Sequence, residues 1–153
     1  MKTKNLLIAG LLSFMFFLSC DDDKDEVNAS IVGIWSGNKV DFKLNPKGVI
    51  PAFTVSEDNF SVVLEFKNDG ALILTDDKQS TTGTYQLNGK KLTINIDYDF
   101  EFIGLSGIFD VEELTLTKLR ASREQEGTFE HPDTGQQFDG KVKAILFFDR
   151  QTD

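Results

Sequence analysis

A chain of 153 residues is long enough for one domain with a substantial core. Its formal net charge of −9 argues against a nucleic-acid partner, because phosphate binding needs clustered Lys and Arg. A single cysteine, Cys20, excludes an intrachain disulfide and a multi-thiolate metal site, and a bias toward Phe and Thr over Pro, Met and Ala favours strands over helices.

Met1 to Asn5 is a short basic region carrying Lys2 and Lys4, and residues 6–18 form an apolar run. A run of thirteen residues is too short for a membrane span, which needs about 20, so residues 1–19 read as a signal peptide. The run ends at Leu18-Ser19-Cys20. A small residue directly before a cysteine at this point resembles the bacterial lipobox. That resemblance implies cleavage before Cys20 and attachment of acyl chains to it, with the membrane as partner. Each buried CH₂ contributes about 0.8 kcal/mol, so two or three chains anchor a protein durably.

Asp21 to Glu26 is a charge run that must stay solvated, and residues 20–29 read as an acidic linker. An acidic cluster directly after a lipidated cysteine is similar to the signal that sends some Gram-negative lipoproteins to the cell surface. The resemblance therefore implies an outer-membrane lipoprotein, on the surface or the periplasmic face. The mature chain would carry 14 basic and 25 acidic residues, a net of −11.

Residues 30–153 are expected to form the folded domain. Apolar residues recur at every second position in Phe60, Val62, Leu64, Phe66, then Leu72, Leu74, then Tyr85, Leu87, then Leu92, Ile94, Ile96. Period two with one apolar face marks half-buried strands. Asn68-Asp69-Gly70 and Asn88-Gly89 supply the residues that tight hairpin turns need. Extending this reading gives eight strands, at 31–44, 59–67, 71–75, 81–87, 91–98, 109–120, 122–130 and 138–149, with a bend at Glu112-Glu113. Closing the sheet on itself removes its two exposed edges. In an up-and-down barrel alternate connections share an end. The connections at 68–70, 88–90 and Ala121 are short, whereas 45–58, 76–80, 99–108 and 131–137 are longer. One end is thus tight and the other elaborated.

Gly33-Ile34-Trp35 matches the G-x-W motif that opens the first strand of lipocalins. Leu64 to Gly70, Thr82 to Leu87 and Glu113 to Leu116 follow in an order similar to that of small bacterial lipocalin-like domains. The resemblance covers residues 31–119 and implies an all-β, up-and-down antiparallel barrel of eight strands. It also implies that Trp35 plugs the closed end. No C-terminal helix is expected, because the last strand runs to residue 149.

Catalytic constellations are not evident, and no enzyme, cofactor or metal is expected. His131, the sole histidine, reads as a solvated turn residue, and Glu112 and Glu113 should point to opposite faces of a strand. Two functional readings remain. Ile50, Phe53, Phe102 and Leu105 lie in the two long apolar loops and would line the open mouth of a barrel that binds a small apolar ligand. Alternatively the barrel is filled and its loops meet a protein or glycan partner. An apolar void of ~300 Å³ or more would favour the ligand.

Overall fold

Alternating apolar residues and two glycine turns build the central meander. The computed structural model describes residues 29–58, 60–77, 79–100 and 103–152. β3 (Val63–Phe66), β4 (Ala71–Thr75), β5 (Ser80–Asn88) and β6 (Lys91–Asn95) pair in sequence, antiparallel throughout. Leu64, Phe66, Leu72, Leu74, Leu92 and Ile94 are buried on one face. Gly70 (φ 85°) and Gly89 (φ 56°) occupy turn positions in the positive-φ region, which a β-carbon disfavours.

The rest of the chain closes the sheet. β6 pairs with β9 (Gly107–Leu114), β9 with β10 (Lys118–Glu130), and β10 with β11 (Gln137–Arg150). β11 returns to β1 (Gly33–Pro46), which pairs with β3 and completes a ring of eight antiparallel strands in up-and-down order. No helix occurs among the described residues. The expected signal peptide, residues 1–19, and the expected linker, residues 20–29, apart from Ala29, lie outside the described residues, and with them Cys20, the expected lipidation position.

β2 (Phe53–Glu57) is an additional strand. It pairs with β1 from Leu44↔Phe53 to Val40↔Glu57, whereas β3 pairs with β1 from Ser36↔Val63 to Gly33↔Phe66. β11 occupies the other edge of β1, so β2 and β3 are two halves of one interrupted barrel strand. At the break, β1 shifts register between Gly37 and Lys39, and Gly37 N–H donates to Val62 O at 2.7 Å. Phe60 packs over Gly37, where a β-carbon would sit 2.6 Å from the ring. The structure thus corrects the expected 45–58 loop, whose second half is strand. It also shortens the expected strand 59–67, although Phe60 and Val62 remain buried.

A second correction concerns the sixth turn. It lies at 115–117, where Thr115 Oγ1 accepts from Lys118 N–H at 2.9 Å, and not at Ala121. Ala121 is buried mid-strand between Val111 and Leu146. The bend at Glu112 is a β-bulge, since Arg120 faces Glu113 and Ala121 faces Val111. An extra residue reverses side-chain parity. Both glutamates consequently turn to Arg120, at 3.2 Å from Glu112 and 3.7 Å from Glu113, rather than to opposite faces.

Antiparallel order places the turns 67–70, 89–90 and 115–117 at one end. The described residues of the segments 47–52, 76–79, 96–106 and 131–136 lie at the other. Trp35 closes the first end. Its side chain is buried, its Nε1–H donates to Ile31 O at 2.7 Å, and the Arg150 guanidinium lies 4.3 Å over its ring. Arg150 also donates to Val32 O at 3.0 Å and to Ser30 O, which pins the incoming chain there.

Candidate functional site

The interior decides what the open end can do. Large buried side chains from seven of the eight strands of the ring meet across the axis, among them Phe42, Phe66, Phe109 and Phe148, and Tyr85 and Leu87 of β5 pack half-buried against them. The void left between them is about 10 Å³ and is lined entirely by apolar side chains. That volume is at the lower limit for a single water and offers it no polar partner.

The described residues of 96–106, namely 96–100 and 103–106, fold back as a lid. β7 (Asp99–Phe100) and β8 (Ile103–Gly104) form a short hairpin within it, and Leu105 follows, 2 % exposed, with its side chain against the void. Ser106 Oγ donates to Ile96 O at 2.5 Å and accepts from Ile96 N–H at 2.9 Å, which ties the two ends of the lid together. Arg123, on β10, donates from Nη1 to Gly104 O at 3.0 Å and to Ser106 O, with its guanidinium 5.8 Å from the Phe109 centroid. Gly107 (φ 142°) permits this, because a β-carbon there would lie 2.6 Å from the guanidinium carbon.

Beside the lid, the connection between β10 and β11 packs on β2. Phe53 stacks on His131 at 4.5 Å and meets Phe138 edge-on at 6.0 Å, and Phe138 in turn lies 6.1 Å from Phe129. His131 is the expected turn residue, half-buried at the rim, and its ring packs on Phe53. Ile50 and Phe53 are half-buried against the core. Of the four expected mouth residues, Leu105 is buried in the core, Ile50 and Phe53 are half-buried against it, and Phe102 lies outside the described residues. Arg123 was not singled out by sequence, since nothing local distinguishes it from a surface charge.

A further tie joins the lid to the segment 76–79. Tyr98 OH donates to Asp76 Oδ2 at 2.9 Å, and Asp76 Oδ1 accepts from Gln79 N–H at 2.8 Å. Burial, then the hydrogen bond and charge of Asp76, push the Tyr98 hydroxyl up to about 12. The neutral phenol is the favoured form in the fold, so its contribution is complete below the unfolded value near 10. It is lost as pH rises from about 10 through about 12. Tyr98→Phe should remove this alkaline dependence, worth on the order of 1 kcal/mol after solvent screening. Urea unfolding at pH 8.5 and 11.5 checks it: equal pH dependence in the two proteins would exclude Tyr98 as its source.

On the outer wall the bulge gathers charges that satisfy one another. Glu112 Oε1 accepts from Ser122 Oγ–H at 2.7 Å and from Lys143 Nζ at 2.9 Å. These bonds, Lys143 first, hold its carboxyl below the usual range. Among the described residues no group of three or more His, Cys, Asp or Glu is placed to hold a metal ion.

What the open end presents to solvent is different. Val49 is 100 % exposed at the tip of 47–52. By sequence, the segments 47–58, 76–80, 96–106 and 123–141 contain twelve acidic and four basic residues, a net of −8. The remainder of residues 30–153 carries nine basic and eight acidic residues. The negative charge of the folded domain is therefore concentrated at the open end.

Comparison with family models, curated proteins and solved structures finds no match. The functional reading rests on the geometry of this chain.

Proposed function

We propose that this chain is a membrane-anchored lipoprotein, related in plan to the lipocalin-like barrels, whose filled barrel serves as an interaction module. The observation that carries this reading is the interior: about 10 Å³ of void, against the ~300 Å³ that a small-molecule site starts from. A carrier needs an open cup, and here Leu105, Arg123 and the Phe53 cluster fill and cover it.

The surface supports a macromolecular partner. An exposed Val49 within an acidic surround combines an apolar contact with charge that steers encounter. A cationic protein surface is the complement this charge favours, with a glycan as the alternative. Eight strands with one tight and one elaborated end agree with the plan that the G-x-W resemblance implies. Anchoring is supported by the basic start, the 13-residue apolar run and Ser19-Cys20.

The test has two arms. Native mass spectrometry of the mature domain should show no co-purifying small molecule. A photo-crosslinking residue at Val49 in whole cells should give discrete adducts that one at Asn88 does not. A stoichiometric small ligand would restore the carrier reading, and equal adducts from both positions would remove the open end as the interface. Cys20→Ser should release the chain from membranes; a variant that stays membrane-bound with a normally cleaved N-terminus would exclude lipidation at Cys20.

A further inference from the structure

The chain reaches its fold at a defined place on the barrel, and that place has a consequence for the whole molecule. Ser30 and Val32 accept hydrogen bonds from the Arg150 side chain, and Arg150 N–H donates to Thr117 O at 2.9 Å. The N-terminal segment is thereby fastened beside the turn 115–117, at the closed end. We infer that the barrel stands on the lipid surface by this closed end, with its open end directed outward. The inference rests on the proposed lipidation of Cys20 and adds to it the face that meets the membrane.

Lengths decide between the two upright orientations. From Cys20 to Ala29 there are nine peptide steps, which extend to at most about 30 Å. β1 has 14 residues, and at about 3.3 Å per residue and a tilt near 40° it spans roughly 35 Å along the barrel axis. A barrel with its open end on the membrane would hold Ala29 farther from the surface than a fully extended linker reaches. Closed end down, the distance to span is shorter than that limit.

Charge favours the same orientation. Within residues 30–153 the open-end segments carry a net of −8 and the rest a net of +1, so even with the net of −4 that residues 21–26 bring to the anchored end, headgroup phosphates repel the open end more. The closed end also presents Leu116, 62 % exposed at the tip of its turn, with Lys118 following it. Lys118 is ion-paired with Asp149, so it is the apolar tip of the turn, Leu116, that suits the boundary between headgroups and water.

The experiment uses the full-length chain in isolated native membranes. Leu116→Cys and Val49→Cys are each labelled with a thiol-reactive fluorophore, Cys20 being blocked as a thioether once lipidated. A quencher attached to lipid headgroups should reduce emission from position 116 several-fold more than from position 49. Equal quenching, or stronger quenching at 49, in protein that remains membrane-bound would overturn the orientation while leaving the anchor intact. Recovery of both labelled proteins in the soluble fraction, with Cys20 unmodified, would overturn anchor and orientation together.

Discussion

Trp35→Ala is expected to destabilise the domain by ~3–5 kcal/mol, the usual cost of truncating a buried large aromatic. The site cannot collapse to absorb the loss. Trp35 is 0 % exposed and lies on β1 at the closed end, and Arg150 rests on its ring. Removing the indole strips the Arg150 guanidinium of its stacking surface and leaves Ile31 O without its donor. For a domain of this size the loss corresponds to a fall in Tm of roughly 10–20 °C. Trp35→Phe should recover part of the packing but not the hydrogen bond to Ile31. Thermal unfolding of the three proteins measures this, and a Trp35→Ala loss below about 1 kcal/mol would mean that the closed end is not organised on this residue.

Leu105→Ala is the second large effect, expected at about 2–4 kcal/mol with an unchanged urea m-value. Leu105 sits in the lid but its side chain belongs to the core, where it borders the 10 Å³ void. Truncation enlarges that void within a wall that has no polar atom to hold water. A dry apolar cavity takes up xenon or a benzene-sized probe, which should then raise the Tm of the variant and leave the wild type unmoved. The same measurement judges the interaction-module reading. Stoichiometric binding of an apolar probe by the wild type would show a usable cavity, and the carrier reading would return.

How far these features were legible in the chain follows from which interactions are local. The period-two runs and the Asn-Gly turns state their own structure, and 71–75 is strand in both readings. Thr115-Leu116-Thr117 contains no Gly, Pro or Asn, and Leu114 and Leu116 continue the alternation, so the turn was invisible there. The bulge at Glu112 was seen as a bend. Its effect on parity depends on Arg120 across the ladder, which no local pattern reveals. Pro46, Gly48 and Pro51 pointed to an irregular connection, and they hid β2, which exists because β1 outruns β3 and leaves an edge to cover.

At the open end the apolar loop residues were legible as important but not as a seal. Whether Leu105 faces a ligand or fills the core depends on Arg123, which holds the lid by its carbonyls from about eighteen residues away in sequence. His131 was discounted because its neighbours in sequence are polar, whereas its neighbour in space is Phe53.

The pairing of β1 with β11 carries a consequence for how the fold is reached. It joins the first barrel strand to the last, from Trp35↔Arg150 to Pro46↔Gly140. Synthesis delivers a chain from its N-terminus, so β1 waits with one edge open until nearly all of the chain has emerged. A contact of such long range is slow to form and exposes a strand edge to strangers in the meantime. The charged residues along β1, Lys39, Asp41 and Lys43, alternate with its buried face and are well placed to discourage mispairing during that wait.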